Sequence, residues 1–206
     1  MSRIELVTGG ARSGKSTFAE RRTVALARND ERPVAYIATA TVTDEEMRER
    51  IAHHQARRPG SWRTIEAPDD LAAAIADGAR DGGVVLVDCL AVWSGGHLME
   101  VGDPDQDADT PRSEWRASVA RLEHRLVAQL DAGLDAATAT GADVILVTNE
   151  VGLGVVPATP LGRIYRDLLG RLNQHAAARA DAVHLVIAGI AVDLRAIGHA
   201  LSNLEG

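Results

Sequence analysis

Ile4-Glu5-Leu6-Val7-Thr8-Gly9-Gly10-Ala11-Arg12-Ser13-Gly14-Lys15-Ser16 carries the fold. A short β-branched apolar run, Ile4–Thr8, leads into Gly9–Ser16, which matches G-x-x-x-x-G-K-[ST]. An amphipathic helical pattern, about Lys15–Arg28, leads out. Strand, glycine-rich loop and helix in that order form a phosphate loop, a context that a chance glycine turn lacks. Gly9, Gly10, Ala11, Arg12, Ser13 and Gly14 are expected to wrap a phosphate with backbone N–H groups, helped by the positive end of the helix. Lys15 is expected to reach the β- and γ-phosphates, and the Ser16 hydroxyl to hold Mg²⁺.

Working outward, further apolar runs occur at Val34–Ala38, Val84–Asp88, Val144–Thr148 and Val183–Ala188. Near-continuous apolar runs are the mark of strands covered on both faces. Helical patterns separate them, at about Asp44–Arg57, Pro68–Asp77, Glu114–Thr138 and Pro160–Ala180. The alternation predicts an α/β fold, a RecA-like P-loop NTPase with a mostly parallel central sheet and helices on both faces. The 206 residues suit one nucleotide-binding domain, 1–206. Ser94–Arg112, rich in Gly, Asp and Pro, reads as an exposed loop, and 192–206 as an appended helical tail.

A net charge of −7 argues against nucleic acid as a partner, since a phosphate-backbone binder needs a basic surface. It leaves anion binding open, because local N–H groups hold phosphate inside acidic proteins. The one cysteine, Cys89, cannot make an internal disulfide. The first residues lack the apolar stretch of a signal peptide, and no run reaches the roughly 18 apolar residues of a spanning helix. The expectation is a soluble cytoplasmic protein.

Asp88 closes the run VVLVD and fits the acid that holds Mg²⁺, directly or through water, beside a phosphate loop; a turn-forming Asp is the alternative. In DEEMRERIAHHQARR (44–58), Met47 and Ile51 mark a buried face, while Glu49, His53 and Arg57 share a polar one at i±4 spacing. Such a trio could orient His53 on a phosphate, or be solvated surface. His53 and His54 diverge by about 100° on a helix, which disfavours a shared metal.

GGARSGKS, YIATA, EEMRERIAHHQARRPGSWRTIEAP, LVDCL, LVTNEVGLGVVPATPLGRIYRDLLGRLNQHAAARAD and VIAGI follow one another along most of the chain. In this order they resemble the bifunctional adenosylcobinamide kinase/adenosylcobinamide-phosphate guanylyltransferase family. The resemblance implies phosphorylation of adenosylcobinamide by ATP or GTP, then GMP transfer from GTP onto that phosphate, giving adenosylcobinamide-GDP and pyrophosphate. It implies a guanylyl-histidine at His53, the first histidine of the pair, and a homo-oligomer, a trimer. It implies nucleotide contacts at Thr39, Ala40 and Thr41, at Arg57, Arg58, Pro59 and Gly60, and at Glu66 and Asp88.

Asn149 and Glu150 end the fourth apolar run, on the edge where open α/β sheets bind ligands, and could meet the corrinoid or the transferred phosphate; Glu150 could equally cap a turn. Arg163 and Arg166 could bind phosphate or form ion pairs with Asp167. The alternative function is another small-molecule P-loop kinase without guanylyltransferase activity. A nucleotide switch would carry a base-reading motif such as NKxD, which this sequence does not contain.

Overall fold

The computed structural model describes residues 2–28, 31–40, 58–67, 69–103, 105 and 111–198. The strands are β1 (Ile4–Thr8), β2 (Val34–Ala38), β3 (Arg63–Glu66), β4 (Val84–Asp88), β5 (Asp143–Val147), β6 (Ala182–Ile187) and β7 (Ile190–Asp193). The helices are α1 (Lys15–Leu26), α2 (Leu71–Gly78), α3 (Leu90–Val101), α4 (Arg112–Thr140), α5 (Pro160–Arg179) and α6 (Leu194–Ile197). The sheet has seven strands in the order β3-β2-β4-β5-β1-β6-β7. All neighbours are parallel except β6 and β7, which are antiparallel.

Alternation along the central strands divides the core. Leu6, Ile37, Val85, Val87, Val144 and Leu146 pack with Leu71, Ile75, Trp93, Leu126, Leu130, Leu168 and Leu172 from α2 to α5. Val7, Tyr36, Leu86, Ile145, Val147 and Val186 pack on the other side with Ala19, Phe18 and Val24 of α1 and with Trp62. Helices therefore cover both faces, as the continuous apolar runs predicted.

Glu5 ties α1 to this second face. Its carboxylate is fully buried and receives Arg22 Nε at 2.9 Å and Nη2 at 2.5 Å, with Arg3 Nε at 2.8 Å. His184 Nε2 lies 3.4 Å away. Burial pushes the carboxyl up, but His184, Arg22 and Arg3 outweigh it and bring the pKa down from 4.5 to about 2. Because the folded value lies below the unfolded one, this stabilisation is complete above pH 4.5 and is lost as pH falls toward 2. Glu5→Gln is expected to cost about 2 kcal/mol at neutral pH and to flatten the acid limb of a plot of Tm against pH. An unchanged acid limb would contradict this role.

Two expectations are corrected. The stretch 94–112 is not one exposed loop: α3 runs to Val101, and Ser94, His97 and Leu98 are buried. The glycine at 95 serves packing, since a Cβ there would lie 3.3 Å from Cε2 of Tyr165 on α5. Arg112 already belongs to α4. The tail reading also changes, because residues 192–193 complete the edge strand β7 before the short α6. Residues 199–206 lie outside the described part, as does the helix expected at 44–57.

β3 and β7 were not expected as strands. β3 reads RTIE with only Ile65 partly covered, and the apolar run of β7, IAV, is only three residues long and half exposed.

Candidate active site

The phosphate loop lies at the C-terminal end of β1, in the middle of the sheet. Its glycines answer to two constraints. A Cβ at Gly9 would stand 2.4 Å from the Val186 carbonyl oxygen and 2.7 Å from Ser13 Oγ. Gly14 has φ 96°, a left-handed conformation that favours glycine, just before α1 begins. Gly189, in the β6–β7 turn, donates its N–H to the Ser13 carbonyl at 2.8 Å, so the small-residue ending VIAGI buttresses the loop. Gly10, Ala11 and Arg12 are exposed, and Arg12 adopts φ 57°.

Lys15 is the first residue of α1 and is 8% exposed, far below the usual value for lysine. Its Nζ donates to the Gly10 carbonyl at 3.2 Å, folding the ammonium back over the loop. Ser16 follows on the first turn of α1. The Thr8 and Ser13 hydroxyls are buried without hydrogen-bond partners among the described residues.

Asp88 ends β4, with β5 between it and β1. It lies on the α1 side, two residues after Leu86. Tyr36 donates its hydroxyl to Asp88 Oδ2 at 3.1 Å. Burial, and then the Asp88 charge, push the Tyr36 phenol well above its usual range, so it remains a neutral donor. The Arg58 guanidinium sits 3.5 Å from the Tyr36 ring centroid, a cation–π contact. Arg58, Tyr36 and Asp88 thus join three segments at one end of the sheet. Sequence reasoning missed Tyr36, although two-residue periodicity in VAYIA places it on the face of Ala38.

Thr39 is buried and acts as a latch. Its Oγ1 donates to the Cys89 carbonyl and accepts from the Cys89 N–H, both at 2.8 Å. Thr39, which the resemblance assigned to the nucleotide, thus joins the ends of β2 and β4 through its hydroxyl. Burial and Asp88 push the Cys89 thiol up to about 11, which leaves it protonated and a poor nucleophile; the Lys15 charge is close enough to oppose the shift.

Ala40 follows the latch, Glu66 is exposed at the end of β3, and Pro59 and Gly60 are exposed in the turn before Trp62. Arg58 and Pro59 line a cavity of about 390 Å³ with Thr17, Glu20, Arg21, Val24 and Trp62, along the outer stripe of α1. Thr41, His53 and Arg57 lie outside the described residues. Glu150, Arg163 and Arg166 each have a partner within the protein. Glu150 caps a turn, its Oε1 accepting the Gly152 N–H at 2.5 Å. Arg163 braces the Pro157 and Ala158 carbonyls, and Arg166 pairs with Asp167 at 3.3 Å.

For a metal ion, the donors near the loop are hard oxygens, the Ser16 hydroxyl and the Asp88 carboxylate. Among the described residues no group of three or more His, Cys, Asp or Glu could hold a metal. This donor set suits an ion completed by phosphate oxygens and water, the usual habit of Mg²⁺.

Strand, glycine loop, buried lysine and the strand-end acid of β4 define an α/β P-loop nucleotide-binding protein. The particular family follows from residues 5–194, which match the family model for cobinamide kinase / cobinamide phosphate guanyltransferase; the chain belongs to that family. It is 42% identical over 190 residues to the bifunctional adenosylcobalamin biosynthesis protein CobU of Escherichia coli (strain K12), covering 92% of this chain and 98% of that protein. Over 193 residues it is 40% identical to CobU of Salmonella typhimurium, again covering 92% and 98%. The corresponding protein CobP of Pseudomonas aeruginosa is 41% identical over 191 residues, covering 93% and 96%.

Proposed function

We propose that this protein phosphorylates the aminopropanol hydroxyl of adenosylcobinamide with ATP or GTP. It then transfers GMP from GTP onto that phosphate through a guanylyl-histidine at His53, releasing pyrophosphate. The observation that carries the kinase half is Lys15, buried at the start of α1 with its ammonium folded over the phosphate loop. Family membership carries the guanylyl half.

Phosphoryl transfer asks the protein mainly to position the reactants and to stabilise charge. The loop from Gly9 to Ser16 supplies N–H groups and the helix end, Lys15 the β,γ-phosphate charge, and Arg12 and Arg58 further positive charge. Ser16 and Asp88 would hold Mg²⁺ against the phosphates, Asp88 directly or through water, and the ion would neutralise charge there. Tyr36 holds the Asp88 carboxylate, and Thr39 latches the backbone of the next residue, Cys89. Thr39–Thr41, Arg57–Gly60 and Glu66 surround the nucleotide in this reading.

Among the described residues no helix is long and apolar enough to cross a membrane; the reading places this enzyme of small-molecule substrates in the cytoplasm. The reading includes a homotrimer. Exposed Ile187, Ile190 and Val192 on the β6–β7 edge, Ile197 on α6, and Leu153, Val155 and Val156 before α5 are apolar surfaces for a neighbouring subunit or the corrinoid.

The test is incubation with adenosylcobinamide, GTP and Mg²⁺, followed by mass spectrometry. Successive appearance of the phosphate ester and the GDP derivative is expected. The ester alone would reduce the protein to a kinase, and neither product would overturn the reading.

A further inference from the structure

A buried polar group without a partner is costly, and in a native site it calls for a reason. Asn149 carries one beside the phosphate loop: its Oδ1 is buried and has no hydrogen-bond partner among the described residues. The backbone there is tightly placed. Thr148 donates its N–H to the Val7 carbonyl at 2.9 Å, and Glu150 to the Gly9 carbonyl at 3.1 Å, so the β5 ladder continues along the loop. Val147 packs on the α1 face, and two residues on, Asn149 faces the same side. Asp88, level with Val147 on the adjacent strand, faces that side as well.

A second asparagine fixes the first. Asn173 on α5 donates Nδ2–H to the Asn149 carbonyl at 2.9 Å, and its Oδ1 accepts from the Thr148 hydroxyl at 2.7 Å. The chain at 148–149 is therefore held by α5 as well as by β1, while the Asn149 amide oxygen stays buried and unpartnered among the described residues.

We propose that Asn149 orients the hydroxyl that attacks the γ-phosphorus, and that Asn173 is the residue that positions Asn149. The assignment rests on the kinase reading above. An alcohol arriving between the phosphate loop and Asp88 would donate its O–H to Asn149 Oδ1, which turns an oxygen lone pair toward phosphorus. The hydroxyl oxygen bonds to the γ-phosphorus as the bond to the β,γ-bridging oxygen breaks. The nucleoside diphosphate leaves with that electron pair. The hydroxyl proton passes to an oxygen of the transferred phosphoryl group, and the carboxamide stays neutral. The second reaction has a phosphate as acceptor, with no hydroxyl to orient, so it does not need Asn149 in this way.

The experiment measures the two half-reactions separately in wild type, Asn149→Ala, Asn149→Leu and Asn173→Ala, together with binding of a non-hydrolysable triphosphate analogue. Asn149→Ala is expected to lower the kinase kcat by about 100-fold. With acceptor supplied already phosphorylated, its guanylyl transfer stays within about threefold of wild type, as does analogue affinity. Asn149→Leu, nearly the same size and without the stranded oxygen, is expected to lose the kinase step while its Tm holds or rises. It decides the matter if the alanine variant fails to fold. Asn173→Ala is expected to lower the kinase kcat by about 10-fold and leave guanylyl transfer in place. Kinase turnover in Asn149→Leu within threefold of wild type would overturn the proposal, as would parallel loss of both half-reactions and analogue binding. A wild-type protein that binds the analogue but phosphorylates no adenosylcobinamide would instead overturn the kinase reading beneath it.

Discussion

Lys15→Ala is expected to lower kcat/KM of the kinase step by about 1,000-fold, the scale of losing a charged contact to a transferring phosphoryl group, and to weaken guanylyl transfer as well. Lys15 is almost wholly buried at the start of α1, and its ammonium already reaches back to the Gly10 carbonyl over the loop. A β,γ-phosphate cradled by the loop would meet that charge where little water competes, so the interaction is strong. Arginine should not rescue it, because a planar fork does not occupy the place of a compact ammonium. Both half-reactions should suffer, since each begins with a nucleoside triphosphate. The measurement is steady-state kinetics of each half-reaction, with Tm recorded to exclude unfolding. Undiminished turnover in a folded Lys15→Ala protein would remove the phosphate loop from the chemistry.

The loop was legible because its chemistry is local. Glycines, lysine and serine have to follow one another at fixed spacing between a strand and a helix, and each flank has its own periodicity. β1, β2 and β4 were readable to the residue because each is built mainly of apolar residues that are buried along the strand. What the sequence hid depends on neighbours distant along the chain. Gly95 looked like a loop residue until Tyr165 was found against it. β3 is a strand because β2 pairs with it, and its own composition says little. Thr39 carries the residue type of a nucleotide contact, but Cys89 occupies its hydroxyl. Tyr36 and Asn173 act through partners 52 and 24 residues away in sequence. Glu5 stood inside an apolar run, and although Arg3 is two residues away, its second partner, Arg22, is 17 residues away on α1.

His53→Ala is expected to abolish guanylyl transfer, by about 10,000-fold or more, the scale of losing a covalent nucleophile, while kinase turnover stays within about threefold of wild type. The two reactions attack different phosphorus atoms. The kinase step is displacement at the γ-phosphorus by an alcohol, for which the phosphate loop and Lys15 supply the charge. Guanylyl transfer is displacement at the α-phosphorus, and a neutral imidazole nitrogen divides it into two easier steps, with pyrophosphate leaving in the first. The intermediate is a phosphoramidate, labile in acid and stable in base. Protein incubated with α-labelled GTP and Mg²⁺ should therefore keep the label through denaturing electrophoresis, lose it on acid treatment, and never acquire it in His53→Ala. His54→Ala is the matched control: the adjacent ring points about 100° away on a helix and should label normally. Label retained in His53→Ala and lost in His54→Ala would move the nucleophile by one residue. No label in the wild type, with triphosphate still bound, would leave a P-loop kinase without the guanylyl half-reaction.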